Sequence, residues 1–225
     1  MQTPSSPSLQ LLYIADPMCS WCYGFGPELE GLMHALPEAK LDIIVGGLRA
    51  YNSEVLTDDK RNTILGHWQH VAEASGLPFS DQGMRQVGFI YDTEPACRAV
   101  VAARTLLDDD SAHALLAVFH AIQRAFYAEG ADITNEQILA RVAVASLNQQ
   151  LGDGSFDEAS FIETLQAPMT RNETRGDFEQ CQRWGVRGFP ALLLLHDNAL
   201  HSIAAGYTKT ANLLDAIKQI RGAQV

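Results

Sequence analysis

The apolar positions of this chain change their period twice, and the changes divide it into three parts. The first part opens with Leu9-Gln10-Leu11-Leu12-Tyr13-Ile14, a short run rich in strand formers, which reads as a buried strand. Phe25, Leu29, Leu32, Met33 and Leu36 then recur at helical spacing and share one face of a helix. Pro37 closes that helix. Pro27 lies inside it and is expected to kink it, because it removes a backbone donor and crowds the preceding turn. Leu41 to Val45 reads as a second strand, buried on both faces and ended by Gly46-Gly47. Strand, helix and strand in this compass predict a parallel βαβ unit with a right-handed crossover.

From roughly Thr57 to Gln166 the pattern is helical. Leu115, Phe119, Ile122 and Phe126 form one stripe, and Ile138, Val142 and Ala145 part of another. Gly76-Leu77-Pro78, Glu129-Gly130 and Gly152-Asp153-Gly154 punctuate a block of about five helices. The third part alternates again. Thr170-Arg171-Asn172-Glu173 fits a capping box, so a helix should begin there and run to about Trp184. A strand follows at Ala191 to Leu195, a turn at His196-Asp197-Asn198 and a second strand near Ser202 to Ala205. A last helix carries Leu213, Leu214, Ile217 and Ile220 on one face. The sum is βαβ, a helical block, then αββα.

Composition narrows the function classes. With 47% hydrophobic and 19% charged residues, the 225-residue chain can bury a sizeable core. Its net charge of -11 argues against nucleic acid as a partner, since phosphate contacts need clustered Lys and Arg, and against an anionic membrane surface. No run approaches the length of a membrane span. Residues Met1 to Ser8 hold no Lys or Arg, and Leu9 to Ala15 is followed by no cleavage site. Thr3 to Ser8 therefore reads as a disordered leader, and a cytoplasmic, reducing location is expected.

Four cysteines in such a compartment do not suggest a structural disulfide framework. Two form Cys19-Ser20-Trp21-Cys22, with no second close pair to complete a zinc site. The pair falls between a strand and the first turn of a helix. There the unpaired N–H groups and the positive dipole end favour an anion, so the pKa of Cys19 is expected below the free value of about 8.5. Cys22, one turn further in, suits the second step of an exchange. Cys97 and Cys181 read as buried packing, although the sequence leaves a bond between them open. His67 and His70 stand at ligand spacing but read as solvated, Asp108-Asp109-Asp110 as the approach to a helix starting near Ser111, and Gly24-Phe25-Gly26 as no dinucleotide motif. Phe189-Pro190, just ahead of an apolar strand, marks a turn or a cis bond.

Asp16-Pro17-Met18-Cys19-Ser20-Trp21-Cys22-Tyr23-Gly24-Phe25, together with Gly185-Val186-Arg187-Gly188-Phe189-Pro190-Ala191, resembles the DsbA-like branch of the thioredoxin superfamily, in particular its cytoplasmic FrnE-type members. The resemblance implies an α/β, thioredoxin-like fold over residues 1–50 and 170–225, interrupted by an inserted helical domain over 51–169. It implies a thiol–disulfide oxidoreductase or isomerase with Cys19 as nucleophile and Cys22 as resolving cysteine. A cis Phe189-Pro190 would face the pair, and substrate would be bound by Trp21, Phe189 and Pro190. The expected partners are protein or small-molecule disulfides, with glutathione as a possible co-substrate. No metal or other cofactor is expected. Ser20-Trp21 departs from the Pro-His of strongly oxidising periplasmic relatives, and in the expected cytoplasmic location the glutathione pool would keep a high-potential pair reduced, so reduction or isomerisation is favoured over oxidation. Two other readings stand beside this one. The first is a glutathione-dependent isomerase or transferase, akin to 2-hydroxychromene-2-carboxylate isomerases and kappa-class glutathione transferases. The second is a holdase using an apolar surface near Trp21, Phe25 and Phe189.

Overall fold

The computed structural model describes residues 9–108, 111–152 and 154–222. The expected leader at Thr3 to Ser8, Asp109, Asp110 and Asp153 lie outside the described residues. The chain runs β1 (Gln10–Ala15), α1 (Ser20–Ala35) and β2 (Lys40–Val45). Five helices follow: α2 (Asp58–Ser75), α3 (Glu94–Leu106), α4 (Ala112–Tyr127), α5 (Glu136–Leu151) and α6 (Glu158–Gln166), with one 3-10 turn at Gly83–Arg85. The end consists of α7 (Pro168–Arg183), β3 (Ala191–His196), β4 (Ala199–Ala205) and α8 (Thr210–Gly222). None of the described helices is long and apolar enough to cross a membrane.

The four strands form one sheet in the order β2-β1-β3-β4. β1 pairs parallel with β2, with Leu11 beside Leu41, and antiparallel with β3, with Tyr13 beside Leu192. Strand alternation sends Leu11, Tyr13 and Ala15 into the main core beneath α1. It sends Leu12 and Ile14 into a smaller cluster on the other face with Cys181, Ala191 and Leu193. The main core is continuous from the sheet through α1 into α3, α4 and α5, so the helical block shares its interior with the sheet.

Several expectations change here. β2 is an edge strand that alternates between exposed and buried positions. Asp42 faces out, where Gln10 Nε2 donates to it at 2.8 Å; an edge has a neighbour on one side only, so its apolar run is covered only in part. α7 starts at Pro168, with proline in the first turn where its missing N–H costs nothing. Thr170 is therefore no cap: its hydroxyl donates to Thr164 O at 2.6 Å and ties α7 to α6. Asp197 and Asn198 both have positive φ, as a two-residue hairpin turn requires, and β4 begins right after them, three residues before the expected start.

α1 is fastened to the last helix through Glu28. Its carboxylate accepts from the backbone N–H and hydroxyl of Thr210 at 2.8 and 2.7 Å, from Lys209 Nζ at 2.8 Å and from the Tyr207 hydroxyl at 3.1 Å. Burial alone would raise the carboxyl pKa, but the hydrogen bonds from Lys209, Thr210 and Tyr207 outweigh it and hold it at about 2, against an ordinary 4.5. A depressed pKa contributes stability above the unfolded value, and that contribution fades as pH falls through the folded one. Glu28→Gln should therefore melt at a lower temperature than the parent at pH 7, and the gap should close as pH falls from about 4.5 toward 2. Thermal unfolding followed by circular dichroism across that range tests this; a gap that does not depend on pH would contradict it.

Candidate active site

Cys19 is the N-cap of α1, with extended backbone angles (φ -92°, ψ 117°). Its own N–H donates to Asp16 O at 3.0 Å, closing a turn out of β1. Helix geometry then leaves the first N–H groups of α1 without partners in the ladder, beside the Cys19 side chain. The Cys19 thiol donates to the carbonyl of Phe189 at 3.5 Å. The Phe189–Pro190 peptide is cis; the first and last parts of the chain meet where the Cys19 sulfur reaches the Phe189 carbonyl. Gly46 makes that meeting possible, because a Cβ there would collide with the Phe189 ring.

Cys22 is fully buried one turn into α1, while Cys19 keeps 6% of its surface exposed. Burial pushes the Cys22 thiol well up, and the hydrogen bond and charge of Cys19 add to the rise. Trp21 is partly buried and leans on Tyr207, with ring centroids 5.8 Å apart. Phe25 is fully buried, so no apolar surface extends onto it and the expected holdase face loses one of its three residues.

The turn before Cys19 is built on Asp16, whose carboxylate is wholly buried. It accepts from Met18 N at 2.8 Å, from Leu48 N at 2.6 Å and from the Cys97 thiol at 3.5 Å. Burial raises its pKa against the pull of these bonds and of Thr93. Tyr91 donates to Met18 O at 2.6 Å, and the Arg49 guanidinium lies 5.3 Å from the Tyr91 ring centroid. The sequence offered Asp16 only as the opening residue of the cysteine motif, with no role of its own, and did not point to Tyr91. An acid and a proline closing an apolar strand were the available signal for Asp16; Tyr91 carried none, because only the packing of the helical block brings it to residue 18.

All four cysteines are free. Cys97 sits in the first turn of α3, its thiol raised well above the ordinary value by burial and then by Asp16. Cys181 is also buried, its thiol pushed up to about 12 by desolvation and the charge of Asp177. It faces the second cluster, whereas Phe178 faces the main core. Cys97 and Cys181 are both core residues here. His67 and His70 lie exposed on α2, and among the described residues no three His, Cys, Asp or Glu side chains are grouped to hold a metal.

The arrangement is a slightly exposed thiol backed by a fully buried one, opposite the Phe189 carbonyl. No family model matches this sequence, and no curated protein matches it. Solved structures do. The crystal structure of a candidate protein disulfide isomerase from Nitrosomonas europaea is 32% identical, aligned over 97% of this chain and 100% of that one, with a TM-score of 0.83. The cytosolic disulfide reductase DsbM from Pseudomonas aeruginosa is 26% identical over 95% of this chain and 99% of that one, at TM-score 0.72. The chain belongs to the DsbA-like disulfide oxidoreductases. Its fold is the thioredoxin-like fold of that family with helices inserted, and it is an enzyme of thiol–disulfide exchange. A 2-hydroxychromene-2-carboxylate isomerase shares the fold alone, at 14% identity and TM-score 0.63.

Two outcomes follow from this geometry in the DsbA-like chain. Iodoacetamide should modify Cys19 first, with Cys22, Cys97 and Cys181 reacting only on denaturation; peptide mass mapping after timed quenching would show otherwise if a buried thiol kept pace. Gly46→Ala should cost about 1–3 kcal/mol, the usual scale of overpacking, as Phe189 is driven aside; an unchanged denaturant midpoint would rule out the close approach.

Proposed function

We propose that this protein reduces or isomerises disulfides through a two-step exchange at Cys19 and Cys22. The observation that carries the reading is the Cys19 thiol at the opening of α1, held 3.5 Å from the Phe189 carbonyl, with Cys22 buried one turn behind it. In the first step the Cys19 thiolate attacks a substrate disulfide, forms a mixed disulfide and releases one substrate thiol. In the second, Cys22 attacks Cys19 Sγ, the mixed disulfide breaks and the second thiol leaves. The substrate becomes two thiols, the enzyme pair becomes a disulfide, and a reductant returns it to the dithiol.

The thiol–carbonyl contact also supports a mode of holding substrate. When Cys19 bonds to substrate sulfur, the Phe189 carbonyl loses its donor and can accept the N–H of an extended substrate backbone, as an added strand would. Trp21, Phe189 and Pro190 supply the surrounding contacts. Protein disulfides and small-molecule disulfides both fit this mode. Glutathione is the natural reductant in a cytoplasmic setting, and DsbM, at 24% identity, has been solved with it. Glutathione-dependent isomerisation without cysteine exchange is disfavoured by the second cysteine, which such chemistry does not use.

The purified protein should accelerate insulin reduction by dithiothreitol. Cys19→Ser should abolish the acceleration, and Cys22→Ser should accumulate a mixed disulfide visible by intact mass. Undiminished turnover by Cys19→Ser would refute the reading.

A further inference from the structure

Gln123 is a polar exception on the buried face of α4. Ile122 and Phe126 beside it are fully buried, and Gln123 itself is only 1% exposed. Burying an amide costs free energy unless its donor and its acceptor are both bonded. Among the described residues neither Nε2 nor Oε1 of Gln123 has a hydrogen-bond partner. His120, one turn earlier on α4, repeats the pattern. Its Nδ1 meets Glu30 Oε1 at 2.9 Å, while its Nε2 is buried without a partner among the described residues. Both side chains line one cleft of about 190 Å³, formed by α1, α4 and the segment after α2. Gly26 of α1 also borders it and keeps the approach to His120 open; a Cβ there would stand 3.5 Å from Nε2. Tyr23, Pro27 and Leu77 give the cleft an apolar wall.

We propose that this cleft binds a small, uncharged molecule carrying a primary carboxamide on a flat apolar body. The count of donors and acceptors points to that group. With Nδ1–H donated to the Glu30 carboxylate, the neutral His120 ring offers Nε2 as an acceptor. Gln123 adds one acceptor, Oε1, and a donor, Nε2. A ligand NH2 can donate to both acceptors while its C=O accepts from Gln123 Nε2, so all three groups are satisfied together. An alcohol or a ketone satisfies fewer. The charges at the rim are already paired, Glu30 with His120 and Arg124 with Glu129 at 3.2 Å, so nothing in the cleft calls for an ion. Its volume lies below the roughly 300–1,000 Å³ of drug-sized sites, which suits a single ring bearing the amide. The site uses neither cysteine of the exchange and stands apart from that chemistry.

Benzamide is the probe, titrated into the full-length protein and followed by calorimetry, with benzoate as the control that lacks the NH2 and brings a charge. Benzamide should bind at least about tenfold more tightly than benzoate, the scale of one buried hydrogen-bonding group left unpaired. Gln123→Leu, close in shape, should weaken benzamide binding by about tenfold or more. Equal affinities for the two probes, no binding of benzamide, or a leucine variant that binds it as the parent does would overturn the proposal. Should the variant fold poorly, the parent decides alone. In 15N-labelled protein benzamide should shift the side-chain amide resonances of Gln123 and leave those of Gln69, exposed on α2, in place. A Gln123 signal that stays where it was would also overturn the proposal.

Discussion

A carboxylate shut away from water has to find its hydrogen bonds inside the protein, and Asp16 finds them on three separate segments. Met18 N belongs to the turn before the cysteines, Leu48 N to the loop after β2, and the Cys97 thiol to the start of α3. Leaving any one of these groups unpaired in the core would cost on the order of 1–3 kcal/mol. The turn therefore has little freedom to relax, and Cys19 is presented where Phe189 can meet it. The placement of Cys19 is set by burial of a polar group at the end of a strand, before the helix and its dipole contribute.

The helical block takes part in that construction. Tyr23, next to Cys22, stacks on Tyr127 of α4 at 4.9 Å, and both rings belong to an aromatic cluster with Phe79 and Trp68. Tyr91 reaches the Met18 carbonyl from the segment before α3. Arg98, buried in α3, bonds Glu94, Glu136 and the carbonyl of Leu165 and so ties α3, α5 and α6 together. The insertion thus shares the core of the sheet and holds the carbonyl of Met18, the residue before Cys19.

The thiols illustrate how burial sorts chemically identical groups. Cys22, Cys97 and Cys181 are all raised by desolvation first and by neighbouring groups second. For Cys97 and Cys181 this makes an inert core residue. For Cys22 it disfavours the thiolate in the resting protein, in keeping with the second-step role proposed for it.

Much of the architecture was legible in the chain. The strand-to-helix position of Cys19, the five helices of the middle block and the hairpin at Asp197-Asn198 all follow from local pattern, because hydrophobic period and turn chemistry act over a few residues. Local pattern misled where a neighbour decided the outcome: β2 became an edge and α7 began at its proline. The cysteine pair and the proline ahead of β3 were determined by the sequence by itself. That the Phe189 carbonyl receives the Cys19 thiol and that Asp16 gathers three segments was decided only by the tertiary structure. These are contacts between residues distant in the chain or on different elements, and their partners are selected by the burial of polar groups, which no short stretch of sequence records.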